Sequence, residues 1–406
     1  MNKINSIVNM LEEIISHFPL NNPGNKEYII TPFGSGLINR TWKVQVKDKE
    51  DSYILQNINT AIFKNPGDIA LNIRNISNYL QKHYPGYLFM SPIKTISGEE
   101  MYKDPGSGYY RVFPFLQNST SFDTIENPVL AREAAHQFAL FTKLLSGFDV
   151  HLLKITLPAF HDLGLRYKQF LQALIDGNPE RIKDSQELIT WLLEQKNIVE
   201  TFELIVKENK IKTRVTHHDT KCSNVLFDEK NHGLCVIDLD TVMPGYFISD
   251  VGDILRTYLS PASEEEKDFS KIEIRVDYFK AIAEGYLSEM KNELNETEIQ
   301  YFVYAGKFLM YMQAIRFLAD HLNNDTYYGA KYEGHNYIRA KNQSVLLQKY
   351  MDKEELFNSI VMEYSSTFSP ASAVPLKPCS GPKIILIFIP DFIKVSTRCA
   401  VPTIEV

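Results

Sequence analysis

The chain has 406 residues, 44% of them apolar and 23% charged, a balance typical of a soluble globular protein and a length that suggests two lobes rather than one core. Its formal net charge of −7, with no basic tract or stripe, argues against a nucleic acid partner, which would need a positive footprint. The opening stretch MNKINSIVNMLEEIISHF alternates polar and apolar residues at helical spacing and carries Glu12 and Glu13 inside it, unlike a secretory apolar core, so a cytoplasmic protein is expected.

Residues 28 to 57 read as three short strands, YIITPF, TWKVQV and SYILQN, with Gly34 and Gly36 in the turn between the first two. Ile69, Ile73, Ile76 and Leu80 recur at spacings of three and four and predict a helix over 65–83. The stretch YYRVFPFLQ, Tyr109 to Gln117, has the content of a strand. Asn127 as N-cap, Pro128 in the first turn and Gly147 beyond Leu144 and Leu145 punctuate the next helix. From there the pattern is mainly helical. Leu188 to Val206 carries a long apolar stripe, with Trp191 and Phe202 in it, as a core-facing surface would. Asp250 and Asp253 open a further helix, where carboxylates serve as caps or as anchors for neighbouring backbone.

The chemistry concentrates in THHDTKCSNVLFDEKNHGLCVIDLD, Thr216 to Asp240. Asp219 and Asn224 lie in a polar loop, and Asp238 follows the apolar run Leu234 to Ile237, so a two-strand hairpin would bring the three together. Phosphoryl transfer needs an acceptor hydroxyl aimed in line and phosphate charge neutralised by metal and cationic groups. Asp219 can accept the acceptor's proton. Asn224 offers an amide oxygen and Asp238 a carboxylate to Mg²⁺, which prefers oxygen ligands, and Asp240 is a further metal candidate. Lys221 would sit near the transferred phosphate. The order HxDxxxxN, strand, Asp corresponds to the catalytic loop and metal aspartate of the protein-kinase signature, but Asp238-Leu239-Asp240 replaces DFG, which points away from protein substrates. His217 and His218 have no partners at zinc spacing, and Cys222, Cys235, Cys379 and Cys399 form no CxxC, so reduced thiols are expected.

Preceding such a loop, Gly34-Ser35-Gly36 reads as a flap whose backbone N–H groups approach the ATP triphosphate, glycine having no Cβ to obstruct them; an ordinary hairpin turn is the alternative. Asn39 and Thr41 add polar contacts. The backbone around Phe113 to Leu116, Phe115 included, is a candidate adenine-binding hinge, with aromatic core packing as the alternative. YILQNIN presents Gln56 where kinases carry a phosphate-clamping lysine. An amide can hydrogen-bond a phosphate but cannot neutralise it. Lys43 and Lys64 are expected to be solvated.

HxDxxxxN followed by IDxD resembles the aminoglycoside phosphotransferase and choline kinase superfamily. The resemblance implies an α+β, protein-kinase-like two-lobed fold: a small β-sheet N-lobe over residues 1–116, a mainly α-helical C-lobe over 117–364, and ATP with Mg²⁺ between them. Closer still, THHDTKCSNVLFD and CVIDLDTVMPG resemble the N-acetylhexosamine 1-kinase group, as do FGSGLINRTW, YILQNIN, PAFHDLGLRY and IRFLADHLNNDTYY, so the likeness runs from roughly residue 15 to 350. It implies transfer of the ATP γ-phosphate to the anomeric hydroxyl of GlcNAc or GalNAc. Arg316 and Tyr327 match positions that would line the sugar pocket, and His161 is a candidate sugar contact with a structural role as the alternative. Together with His335, Asn336 and Arg339 these groups favour a neutral, hydroxyl-rich ligand. Competing readings are a kinase of choline, an aminoglycoside or another sugar, and, because of Gln56, an inactive nucleotide-binding protein.

Residues 365–406 depart from this pattern, being rich in proline and serine and then apolar from Ile384 to Ile389. That run is too short to span a bilayer. A strand docked on the C-lobe, a non-native extension and a disordered tail are the readings.

Overall fold

A computed structural model describes residues 2–20, 27–34, 36 and 38–367; Ser35 and the tail beyond residue 367 lie outside the described residues. Helix α1 (Asn2–Ser16) precedes strands β1 (Tyr28–Pro32), β2 (Arg40–Val46) and β3 (Ser52–Asn57), helix α2 (Pro66–His83), and strands β4 (Tyr102–Asp104) and β5 (Gly108–Pro114). The strands form one antiparallel sheet in the order β1-β2-β3-β5-β4. Side-chain alternation divides its faces. Val44, Val46, Tyr53, Leu55, Tyr110 and Val112 turn to one side and bury against Leu11, Ile14, Ile15 and Phe18. The other face carries Thr41 opposite Gln56, and Gln56 opposite Arg111.

The rest is largely helical. α3 (Pro128–Leu144) starts where the Asn127 side chain accepts from the N–H of Leu130. α4 (Leu163–Asp176), α5 (Pro179–Asp184), α6 (Gln186–Glu194) and α7 (Asn197–Glu208) follow, so the apolar stretch from Leu188 to Val206 breaks into two helices around Gln195 and Lys196. Four short strands come next: β6 (Arg214–Thr216), β7 (Val225–Phe227), β8 (Gly233–Val236) and β9 (Met243–Gly245), paired β6 with β9 and β7 with β8. α8 (Phe247–Tyr258), α9 (Val276–Met290), α10 (Glu296–Gln300), α11 (Phe302–Leu322), α12 (His335–Met351) and α13 (Glu354–Thr367) complete the body. α11 is apolar and buried around nearly its whole circumference, as a central helix must be. Gly252 lets α8 lie against it, because a Cβ there would stand 2.4 Å from the carbonyl oxygen of Ala305. No helix among the described residues is long and apolar enough to cross a membrane.

The small sheet followed by a helical body is the α+β arrangement the sequence implies. Helix α2 buries Ile69, Ile73, Ile76 and Leu80 in the core shared with the helical body, not in the cluster beneath α1. Its Asn72, fully buried, fixes the joint. The side-chain amide donates to the carbonyls of Lys154 at 2.8 Å and Val242 at 3.0 Å, and its oxygen accepts from the N–H of Lys154 at 2.7 Å. Asn72→Ala leaves those groups without partners and is expected to lower unfolding free energy by about 2–3 kcal/mol, measured by urea denaturation. A loss below about 0.5 kcal/mol, the scale of an ordinary surface change, would show that the joint does not depend on this side chain.

Candidate active site

The loop after β6 is held by two carboxylates on α8. Asp250 accepts from the backbone N–H groups of His217 at 3.0 Å and His218 at 2.7 Å, and Asp253 from that of Thr220 at 2.9 Å. The Tyr258 hydroxyl donates to the carbonyl of Thr220 at 2.7 Å, and the Thr241 hydroxyl to that of His217 at 2.7 Å. The His217 Nε2 lies 3.0 Å from the carbonyl oxygen of Ile237, so that nitrogen carries the proton and Nδ1 is left to accept from the N–H of Asp219. His217 therefore orients the loop, and Phe138 packs edge-on against its ring at 5.1 Å.

Asp219 emerges from this scaffold partly exposed, with Lys221 Nζ 2.9 Å from its carboxylate. The β7–β8 hairpin pairs Val225 with Val236, and the N–H of Ile237 donates to the carbonyl of Asn224 at 2.9 Å, which lays Asp238 alongside Asn224. The Asn224 amide nitrogen donates to the carbonyl of Asp219 at 2.8 Å, leaving its side-chain oxygen free to face a cation. Asp238 adopts a left-handed backbone with φ of 59° and stays open to solvent. The surrounding protein, and then the charges of Asp240 and Asp219, raise the pKa of its carboxyl. Among the described residues no three His, Cys, Asp or Glu side chains cluster to hold a metal. An amide oxygen, one open carboxylate and excess negative charge nevertheless fit a hard divalent cation that keeps several waters.

Asp240 turns elsewhere. It is 2% exposed, stands 2.5 Å from Arg111 Nη2 and accepts from the Asn39 amide at 2.7 Å. Arg111 also donates through Nε at 3.1 Å and Nη2 at 2.9 Å to Gln56, whose amide nitrogen is 3.4 Å from the Thr41 hydroxyl. The candidate nucleotide residues Asn39, Thr41 and Gln56 thus form one polar group with Asp240. Phe113 lies 5.0 Å from the Arg111 guanidinium, and Phe115 meets Phe33 edge-on at 5.8 Å. Lys43, expected in solvent, sits over the Phe115 ring at 3.9 Å. The N–H of Phe115 is donated to Ser52 at 3.0 Å. Gly34 has φ of 80°, in the left-handed region where side chains strain the backbone, and it and Gly36 are exposed.

On the other side of Asp219, the Ser249 hydroxyl bridges the Nδ1 atoms of His161 and His218. Phe160 stacks on His161 at 4.4 Å, and Arg316 lies 6.0 Å from the Phe160 ring and 5.5 Å from that of Tyr328. Tyr327 is 71% exposed, whereas Tyr328 is the tyrosine turned toward Arg316. Asn336 is committed to Asp320, Asp325 and the carbonyl of Gly329, and His335 to Glu265.

Sequence reasoning passed over Arg111, Ser249 and Glu264. Arg111 had a signal, as the one charged residue in YYRVFPF. Glu264 lies in SEEEKD, which reads as a solvated acidic run, yet it ends between Arg256 at 3.1 Å and Arg339. Burial works to raise its pKa, and the two arginines outweigh that and bring it below the usual value.

Residues 29–281 match the model of the phosphotransferase enzyme family, well over half of the chain. The chain belongs to the phosphotransferase enzyme family. Solved structures agree on the kinase-like fold. An aminoglycoside phosphotransferase from Alicyclobacillus acidocaldarius is 13% identical with a TM-score of 0.56, covering 87% of this chain and 96% of its own. An ethanolamine kinase from Plasmodium vivax is 13% identical, with a TM-score of 0.53 and coverage of 86% and 90%. A choline kinase from Cryptosporidium parvum is 15% identical, with a TM-score of 0.51 and coverage of 89% and 100%. At such identities the three share the fold, while their acceptors differ from one another. This phosphotransferase thus has the kinase-like fold of those three structures.

The histidines beside the loop give the phosphotransferase a pH dependence. Burial, and then neighbouring His217, lowers the pKa of His218 from 6.5 to about 3. As pH falls below 6.5 the unfolded chain takes up this proton and the folded one does not, so the stability is present above 6.5 and lost toward pH 3, by about 1.4 kcal/mol per pH unit. Urea unfolding at pH 7, 6 and 5 should show His218→Gln with a slope shallower by about that amount. Parallel curves for variant and parent would mean that His218 is protonated in the folded state.

Proposed function

We propose that this phosphotransferase moves the γ-phosphate of ATP, with Mg²⁺, to the anomeric hydroxyl of an N-acetylhexosamine, GlcNAc or GalNAc, giving a sugar 1-phosphate and ADP. The observation that carries the acceptor class is the charge beside the catalytic loop. His161, joined to the loop through Ser249, has Arg316 and Arg166 as charged neighbours, while Arg256 is paired with Asp253 at 2.9 Å and Glu264 at 3.1 Å. Arg166 donates to Gln169 and to the carbonyl of Ala159, and Arg316 to Gln313, all neutral groups. Such a wall opposes the quaternary ammonium of choline and the amines of an aminoglycoside, since like charges repel strongly near a low-dielectric surface. It suits a neutral ligand whose hydroxyls and acetamido carbonyl can accept from guanidinium N–H groups.

Each group has a defined task in this reading. Asp219, fixed by the Asp250 and Asp253 anchors, takes the proton of the attacking hydroxyl. Lys221, beside it, offsets charge on the transferred phosphoryl group. Asn224 and Asp238 would hold the divalent cation, which when bound would neutralise phosphate charge. His161 and Arg316 orient the sugar. Gln56 in the lysine position is compatible with an inactive nucleotide binder, but the retained set of Asp219, Asn224 and Asp238 favours turnover.

Asp219→Asn is expected to lower kcat by about 10²–10⁴-fold while ADP still binds; a loss of less than about tenfold would remove Asp219 from the role of base. Phosphorus NMR of the product should place the new phosphate on C1, with GlcNAc or GalNAc turned over better than glucose, which leaves the acetamido site unpaired. A C6 phosphate, or turnover of choline with none of N-acetylhexosamines, would overturn the acceptor.

A further inference from the structure

We propose that Arg111 is the cation that binds the nucleotide's inner phosphates, replacing the lysine that β3 lacks, and that Gln56 is its positioning residue. This rests on the ATP-dependent reading above.

Arg111 is only 2% exposed, and a charged side chain so buried requires partners. Those it has account for part of its guanidinium. Nε and Nη2 both donate to the same Gln56 oxygen, at 3.1 Å and 2.9 Å, and Nη2 lies 2.5 Å from Asp240. Nη1, also buried, has no hydrogen-bond partner among the described residues. A guanidinium presents its N–H groups in a rigid fork, so fixing Nε and Nη2 also fixes the direction of Nη1. That fork stands on the sheet face opposite the α1 cluster, in register with Gln56 and Thr41. Asp240 pins it two residues beyond Asp238, the open carboxylate of the candidate cation site. A phosphate oxygen is the acceptor that a buried guanidinium N–H in such a place would take.

The exchange is also consistent on the helix side. In kinases the clamping lysine is paired with a glutamate on the next helix. Here α2 reads PGDIALNIRNISNYLQKH, with no glutamate. A lysine at position 56 would find no such partner on α2, whereas an arginine on β5 finds Asp240.

Calorimetric titration with adenosine and with ADP in the presence of Mg²⁺ tests the assignment. Arg111→Gln is expected to weaken ADP by about 10–100-fold, the worth of a hydrogen bond to a charged group, and to leave adenosine unchanged. The double change Gln56→Lys with Arg111→Gln restores a cation from the neighbouring strand and is expected to recover much of the ADP affinity. If Arg111→Gln does not fold, Arg111→Lys keeps the charge opposite Asp240 but loses the fork, and should show a smaller preference for ADP over adenosine. Equal losses for adenosine and ADP, or an unchanged ADP preference in the variant that folds, would overturn the role of Arg111 and leave the kinase reading intact. A parent protein that binds ADP no better than adenosine would overturn both.

Discussion

Asp250 and Asp253 take three backbone N–H groups from the loop His217–Thr220, and the position of the Asp219 carboxylate follows from that capture. A loop of this kind cannot satisfy its own amides, and buried amides without acceptors are costly. Placing the acceptors on the first turns of α8 ties the loop to the helix, and Gly252 between them lets the helix seat against α11. His217 extends the same scaffold to the other strand of the site through the carbonyl of Ile237. Asp219, the candidate cation ligands and the histidine pair are therefore tied to one scaffold, which suits positioning catalysis.

A second constraint is charge. Asp240 and Asp219 raise the cost of charge on Asp238, while Arg111 and Lys221 offset part of it. The two cations are distributed asymmetrically. Lys221 serves the solvent-facing carboxylate, and Arg111 serves the buried one, so that Asp238 alone is left open with the Asn224 oxygen beside it. An acidic centre left short of positive charge suits a divalent ion.

Much of this was legible because the signals are local. Ile69, Ile73, Ile76 and Leu80 lie on one stripe, and Asn127 with Pro128 start α3, since each depends on neighbours within a turn. The spacing of Asp219, Asn224 and Asp238 needed only one hairpin to become a cluster. Arg111 was hidden because its meaning depends on β5 pairing with β3, residues some fifty positions apart in sequence. Glu264 looked like one of a run of solvated acids until α8 and α12 supplied arginines from two directions. The choice between Tyr327 and Tyr328 was out of reach for another reason. Asn324 and Asp325 both take left-handed backbones just after α11, and this turn, not any periodicity, decides which ring faces Arg316.

Anomalous diffraction from crystals grown with ADP and Mn²⁺ tests the central claim most directly. The account predicts a manganese peak within about 2.0–2.3 Å of the Asn224 side-chain oxygen and the Asp238 carboxylate, the range for hard divalent cations on oxygen, with phosphate oxygens completing its shell. A peak elsewhere, or ADP bound away from the face of the sheet that carries Gln56 and Arg111, would contradict it.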